Sequence, residues 1–177
     1  LMAVSHNLFS PYETAGFYFD PGYGDDADFL ELVKKARENG IEIIVDVVLS
    51  HTGKDTAGLP FPGECYKDRD ISGNPVRGKW AYHLDYENPR TRELAFGHLY
   101  RLRKLGIRWI RCDQMGDLGQ GGGIFWKEAG EKLGIKMISE TENVPEVIGS
   151  ASATYFKLNL RNDEIEHWQG VSSFKKL

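Results

Sequence analysis

The 177-residue sequence has few cysteines, no long apolar stretch and no run of like charges. Two cysteines, Cys65 and Cys112, are too few for a disulfide framework or a cysteine metal knuckle, so we predict two free thiols. No uncharged apolar stretch approaches the roughly 18 residues of a membrane-spanning helix. Lysine and arginine total 22 against 26 acidic residues, a net charge of −4. This balance argues against a nucleic-acid or anionic-membrane partner.

Signals for export and for nucleotide binding are also missing. The N-terminal residues show no basic segment and no cleavage site, so we expect no secretory signal in the residues given and favour a cytoplasmic location. Three successive glycines, 121–123, match neither a phosphate loop nor a dinucleotide fingerprint. We predict that they form a flexible loop leading into a helix over roughly residues 124–133, and we disfavour an unrelated nucleotide-binding α/β protein.

A junction of helix, glycine and strand occurs three times, at residues 39–44, 105–110 and 133–138. A glycine just past a helix end closes the helix in the left-handed conformation, and the β-branched residues that follow suit a buried strand. Weaker strands are predicted over residues 1–4 and 153–160. The repeated junction predicts an α/β fold with a parallel sheet.

Two helices have recognisable starts. The first follows the cap candidates Asp25 and Asp26, and the second follows Asn88 with proline at its first position. The predicted apolar stripes comprise Phe29, Leu32, Val33 and Ala36 in the first helix and Ala95, Leu99 and Leu102 in the second.

A long irregular connection follows the strand that contains Asp46. Residues 52–87 are rich in glycine, proline and aromatic residues, and we predict an inserted loop subdomain within one domain that spans residues 1–177. Its Trp80, Tyr82, His83 and Tyr86 form either a sugar-stacking platform or the insertion's own small core. The sequence holds about five strand-helix units, whereas a closed eight-stranded barrel takes about 250 residues.

The three clearest strands each end in an acidic residue: Asp46, Asp113 and Glu140. Each alone is readily explained as a helix cap or loop anchor, but three equivalent buried carboxylates are costly unless they are paired or used. Arg111 lies two residues before Asp113, on the same side of the strand, so it either keeps Asp113 ionised or forms a plain structural ion pair. One ionised and one protonated carboxyl at a sheet edge are what glycosidic bond cleavage requires, which indicates a glycosidase.

Five stretches resemble the α-amylase family, the retaining hydrolases and transglycosidases of α-glucans. Residues 46–52, Asp-Val-Val-Leu-Ser-His-Thr, resemble its first signature, and residues 106–113, which end in Arg-Cys-Asp, resemble its second. Residues 137–140, Met-Ile-Ser-Glu, resemble the third, and residues 17–24 and 84–89 resemble the segments that lead into its second and third helices. The resemblance implies a partial TIM (β/α)8 barrel, roughly its second to sixth strand-helix units, with the insertion after the third barrel strand.

The resemblance also implies roles for individual residues. Asp113 would be the nucleophile, Glu140 the general acid/base, and Arg111 the group that orients Asp113. The implied substrate-binding residues are Asp46 and His51 around the cleaved sugar, with Tyr12 or Tyr18 stacking on it. Trp80 is a further candidate, which rests on the aromatic content of the insertion and not on the resemblance. His51, taken alone, is better explained as a surface loop histidine. The implied substrate is an α-glucan or malto-oligosaccharide, and the implied separation of the two catalytic carboxyls is about 5 to 5.5 Å.

The sequence departs from the family pattern in three places. The seventh-strand signature that carries a third carboxylate is not found, and Asp163 lacks its histidine. Ser50 stands where many members have a calcium-binding asparagine, so we predict no metal site, no cofactor and a doubtful structural calcium. The enzyme hypothesis, with this chain part of a longer one, therefore stands beside a non-catalytic relative that binds carbohydrate or a protein and self-associates through open sheet edges.

Overall fold

The computed structural model describes residues 1, 5–7, 12–54, 58–78, 81–113, 119–141 and 153–156. Eight strands and three α-helices lie in these ranges, with short 3-10 turns at Pro21–Tyr23 and Gly63–Cys65. In chain order they are β1 (Ser5–Asn7), β2 (Thr14–Phe19), α1 (Asp26–Glu38), β3 (Ile44–Val47), β4 (His51–Thr52), β5 (Tyr82–His83), α2 (Pro89–Lys104), β6 (Trp109–Cys112), α3 (Gly119–Leu133), β7 (Lys136–Thr141) and β8 (Ala153–Phe156).

The central sheet is parallel, as the sequence predicted. Its strands lie in the order β3, β6, β7 and β8, and each neighbouring pair is parallel. Helix α2 follows β3 and helix α3 follows β6, so each covers the step to the next strand. On β3, Val45 and Val47 are buried in the apolar core, while Asp46 between them points to the opposite face.

The two weaker predicted strands are partly present. The Leu1 amino group donates to the Ile44 carbonyl at 2.7 Å, and the Asp46 amide donates to the Leu1 carbonyl at 3.0 Å. Leu1 therefore pairs with β3, whereas residues 2–4 lie outside the described residues. Ala153–Phe156 forms β8, and residues 157–160 also lie outside them.

The three junction glycines adopt the predicted left-handed conformation. Their φ angles are 74° at Gly40, 91° at Gly106 and 60° at Gly134. At Gly106 a Cβ atom would lie 3.1 Å from Val33 Cγ1, so this turn also packs tightly against α1. Each glycine thus ends a helix and turns the chain into the parallel strand that follows.

Helix starts agree with the sequence, whereas one apolar stripe does not. Asp25 accepts bonds from the first-turn amides in a capping box, and Asn88 caps α2 ahead of Pro89. All three predicted core residues of α2 are fully buried. In α1, Phe29 and Val33 are buried but Leu32 is 46% exposed, so the predicted stripe was too wide.

Helix α3 begins earlier than predicted. The glycines 121–123 lie inside the helix, which starts at Gly119, so the predicted flexible loop was wrong. Gly121 explains part of the difference, because its Cβ would clash with the Glu87 carboxylate and lie 3.1 Å from the Tyr86 carbonyl oxygen. Close packing here selects glycine despite its low helix propensity.

Two antiparallel pairs were not predicted. β1 pairs with β2 across an irregular register, and β4 pairs with β5 at the base of the inserted segment. Between β4 and β5 the described chain is irregular, and Cys65 and Tyr66 there join the main core. The division into a domain and an inserted subdomain remains a prediction.

Both cysteines are buried free thiols, as expected. Among the helices of the described ranges, none is both long and apolar enough to cross a bilayer.

Candidate active site

One guanidinium contacts all three carboxylates at the carboxyl ends of the central strands. Arg111 Nη1 lies 2.8 Å from Asp46 Oδ1 and 2.6 Å from Asp113 Oδ1, and Nη2 lies 2.5 Å from Glu140 Oε2. The strand register produces this arrangement, because Asp46 pairs directly with Arg111 and Cys112 pairs with Ser139. Asp113 and Glu140 therefore follow at one level, two residues beyond the level of Asp46 and Arg111.

The cluster is shielded from solvent. The side chains of Asp113 and Glu140 are 8% and 3% exposed, and those of Asp46 and Arg111 are 11% and 17% exposed. One positive charge thus faces three buried carboxyls, and full ionisation of all three would leave an uncompensated charge. At least one proton is expected within the cluster near neutral pH.

Asp113 and Glu140 hold that proton between them. Burial and then a hydrogen bond with the Glu140 side chain raise the pKa of Asp113 to about 7, against the lowering effect of Arg111. Because the two groups interact this closely, they titrate as a pair. The separation of about 5 to 5.5 Å that the resemblance implies for these two carboxyls remains a prediction.

Tyr12 reaches the cluster from the loop before β2. Its hydroxyl donates to Asp46 Oδ2 at 3.1 Å, and its ring centroid lies 5.7 Å from the Arg111 guanidinium carbon. Burial raises the pKa of Asp46, although bonds from Arg111 and Tyr12 oppose the rise. The structure therefore brings together Asp46, Asp113, Glu140, Arg111 and Tyr12.

His51 is buried next to the cluster of carboxylates, Arg111 and Tyr12 and is not on its solvent-facing side. The ring is 1% exposed, its Nε2 lies 2.7 Å from the Tyr12 carbonyl oxygen, and its Nδ1 lies 2.7 Å from Ser50 Oγ. Burial lowers the pKa of His51 to about 4, so the ring is neutral at physiological pH. The surface-loop explanation of His51 is therefore wrong.

The other predicted stacking residues lie elsewhere or outside the described residues. Tyr18 is 46% exposed and lines a surface hollow with the α1 start and Arg101. Trp80 lies outside the described residues. Tyr86 is 1% exposed and donates to the Leu49 carbonyl, so it belongs to the core rather than to an open platform.

The residues around Ser50 do not fit a structural calcium site. Ser50 is buried, and its hydroxyl lies between His51 Nδ1 and, at 3.5 Å, the Asp113 carbonyl oxygen. Within the described ranges, no group of three or more histidine, cysteine, aspartate or glutamate side chains could hold a metal ion. Calcium prefers six to eight oxygen ligands, which these contacts of Ser50 do not provide.

Ser50 and the Tyr12 contact are the parts of the site that sequence patterns do not reveal. Tyr12 was proposed only as a sugar-stacking residue, and its bond to Asp46 joins residues 34 positions apart. Ser50 was noted for a missing asparagine rather than for its bond to His51.

Comparisons with known proteins find similarity to α-amylases and related enzymes. Residues 8–61 match the family model for the α-amylase catalytic domain. A solved structure of a maltogenic α-amylase from Thermotoga neapolitana is 26% identical to this chain. It superimposes on the chain with a TM-score of 0.76, and the match covers 99% of this chain and 43% of that one. The chain resembles members of the α-amylase family.

Curated relatives in the α-amylase family have different named activities. A 4-α-glucanotransferase of Thermotoga neapolitana is 26% identical over 72% of this chain and 37% of its own length. A 1,4-α-glucan branching enzyme of Bacillus cereus is 28% identical over 68% of this chain and 19% of its own length. The chain thus spans less than two fifths of either relative, and its coarse architecture is part of a TIM barrel.

Proposed function

We propose that this protein is a glycosidase or transglycosidase that cleaves α-glucans by a retaining double displacement. The observation that carries the proposal is the contact of Arg111 with Asp46, Asp113 and Glu140 at the carboxyl ends of adjacent strands. Support also comes from the names of the relatives, which include a glucanotransferase and a branching enzyme. Asp113 serves as nucleophile and Glu140 as general acid/base.

The reaction takes two steps. In the first, Glu140 donates its proton to the glycosidic oxygen while an Asp113 oxygen attacks the anomeric carbon, and the bond to the leaving sugar breaks. In the second, ionised Glu140 removes a proton from water or from a sugar hydroxyl. The resulting oxygen attacks the same carbon and displaces Asp113, so the anomeric configuration is retained.

The proton shared by Asp113 and Glu140 suits the start of this reaction. With the proton on Glu140, Asp113 is ionised and keeps its 2.6 Å contact with Arg111 Nη1. The guanidinium holds the nucleophile in place and stabilises its charge. Departure of the proton to the leaving group then separates the two carboxyls, which admits the anomeric carbon.

Asp46 and Tyr12 form the wall beside the cleaved sugar. Tyr12 presents its ring next to Arg111, and Asp46, which also accepts a hydrogen bond from Tyr12, offers its carboxylate to sugar hydroxyls. We assign the chain to about the second to sixth strand-helix units of the barrel, with residues 52–87 as a subdomain inserted after the third barrel strand. We assign a malto-oligosaccharide as the substrate.

The test is turnover of malto-oligosaccharides and of an activated α-glucoside by the purified protein. The anomer first released, followed by proton NMR, is expected to be the α form. Glu140→Gln is expected to lower kcat by a factor of about 10² to 10⁴, as for loss of a general acid. Asp113→Asn removes the nucleophile and is expected to lower kcat at least as much. Glu93→Gln, in an exposed pair on α2, serves as the matched control.

A different result would identify the non-catalytic alternative. Glucan affinity without turnover, unchanged by Asp113→Asn, would refute the enzyme proposal. Release of the β anomer from an α-linked substrate would instead refute the retaining mechanism.

A further inference from the structure

The loop that carries Tyr12 is attached to the chain just beyond β3. His51 Nε2 lies 2.7 Å from the Tyr12 carbonyl oxygen, and the Gly53 amide donates to the Thr14 carbonyl at 2.9 Å. A carbonyl oxygen can only accept, so His51 Nε2 carries the hydrogen. The imidazole therefore donates to the backbone of Tyr12.

Ser50 completes this arrangement. With the hydrogen on Nε2, His51 Nδ1 is an acceptor, and the Ser50 hydroxyl 2.7 Å away donates to it. The Leu84 amide donates to the Ser50 carbonyl at 2.9 Å, which holds Ser50 from the other side. The ring is thus bonded at both nitrogens and fixed in one tautomer.

The position of Tyr12 affects the charges at the reaction centre. Its hydroxyl bonds to Asp46 Oδ2, the oxygen that also lies 2.9 Å from Arg111 Nη1. The same Nη1 bonds to Asp113. A hydrogen bond from Tyr12 partly neutralises the negative charge on the Asp46 carboxylate. The Arg111 guanidinium then interacts less strongly with Asp46 and more strongly with Asp113.

We propose that His51 is a positioning residue whose imidazole, oriented by Ser50, holds the Tyr12 carbonyl and so keeps the Tyr12 hydroxyl on Asp46. The catalytic consequence rests on the proposed function, but the positioning itself does not.

Two substitutions at His51 separate the two ring nitrogens. In His51→Gln the side-chain amide extends to about the position of Nε2 and can still donate to the Tyr12 carbonyl. In His51→Asn the shorter amide corresponds to Nδ1 and reaches only Ser50. Both remove the ring from the core, so the pair is matched for general loss of packing, and urea unfolding checks that both fold.

The first measurement is the titration of the Tyr12 phenol, which needs no substrate. Burial and the Asp46 carboxylate raise the pKa of Tyr12 in the native protein. The signal is assigned by its loss in Tyr12→Phe, using tyrosine labelled at the ring carbon next to the oxygen. We expect the midpoint to fall toward the ordinary tyrosine value in His51→Asn and to stay higher in His51→Gln.

The second measurement is steady-state kinetics with a malto-oligosaccharide. We expect kcat/KM to be about tenfold lower in His51→Asn than in His51→Gln, equivalent to loss of one hydrogen bond in the transition state. Equal Tyr12 titration in the two folded variants and the native protein would overturn the positioning role. A protein without turnover would refute the proposed function instead, while the Tyr12 titration would still decide the role of His51.

Discussion

Replacing Arg111 with methionine tests whether one guanidinium neutralises the carboxylate cluster. Near pH 7 the cluster holds Arg111, ionised Asp46, and the Asp113–Glu140 pair with one proton, for a net charge of about −1. Methionine has a similar length but no charge, so the substitution leaves about −2 in a site whose side chains are 3% to 17% exposed. Removing one partner of a buried pair costs about 3 to 5 kcal/mol.

The pH dependence of this cost makes the test specific. Arg111 lowers the pKa values of Asp46 and Asp113, so its loss raises both and the folded variant binds more protons than the native protein. Protonation relieves the repulsion at low pH, and each pKa unit of additional shift corresponds to about 1.4 kcal/mol. The destabilisation should therefore be smaller at pH 5 than at pH 8.

The assay is urea unfolding at pH 5 and pH 8, followed by tryptophan fluorescence. Arg90→Met is the control, because the Arg90–Glu93 pair is 50% and 68% exposed and should contribute at most about 0.5 kcal/mol at either pH. A cost for Arg111→Met that is equal at both pH values, or below about 1 kcal/mol at pH 8, would refute the reasoning. Such a result would mean that water already solvates the carboxylates.

Three further predictions follow from named groups. Loss of the proton shared by Asp113 and Glu140 should lower kcat as pH rises through about 7, and a pH-rate profile flat from pH 6 to 8 would contradict the shared-proton assignment. Burial lowers the pKa of His98 from 6.5 to about 4, so its contribution to the free energy of unfolding is present above pH 6.5 and is lost as pH falls toward 4. That contribution is about 3 kcal/mol, and His98→Gln should remove the acid-dependent part in urea unfolding. Gly97→Ala, in open space on α2, should stabilise the protein by about 0.5 to 1 kcal/mol, whereas Gly106→Ala, with φ of 91°, should destabilise it by more than about 1 kcal/mol in thermal unfolding.

Short-range sequence signals predicted much of the central sheet and its helices. Asp25 and Asn88 were recognised as helix caps because a cap is decided by a few adjacent residues. The three junction glycines were recognised because backbone conformation after a helix depends on the residue itself. The repeated junction of helix, glycine and strand predicted the parallel sheet, and parallel strands bring the three strand-end acids to one edge.

Long-range packing decided what the sequence could not. The α3 start depends on how closely Gly121 approaches Glu87, and no local pattern near residue 121 contains that contact. The β1–β2 pair has an irregular register and few alternating residues, which hides it from periodicity. The bond from Tyr12 to Asp46 depends on His51, so it becomes visible only when the chain is folded.

The antiparallel pair at the base of the inserted segment has a consequence for how this molecule can vary. Thr52 pairs with Tyr82, so both ends of the excursion between them meet at a closed stem. Once a stem is closed, doubling the length of the loop beyond it costs only about 0.6 kcal/mol in chain entropy. Cys65 and Tyr66 anchor the excursion to the core, so a change of length is tolerated best at the exposed turn of residues 70–74. Because His51 lies in the stem, such variation occurs in a segment whose base adjoins the reaction centre.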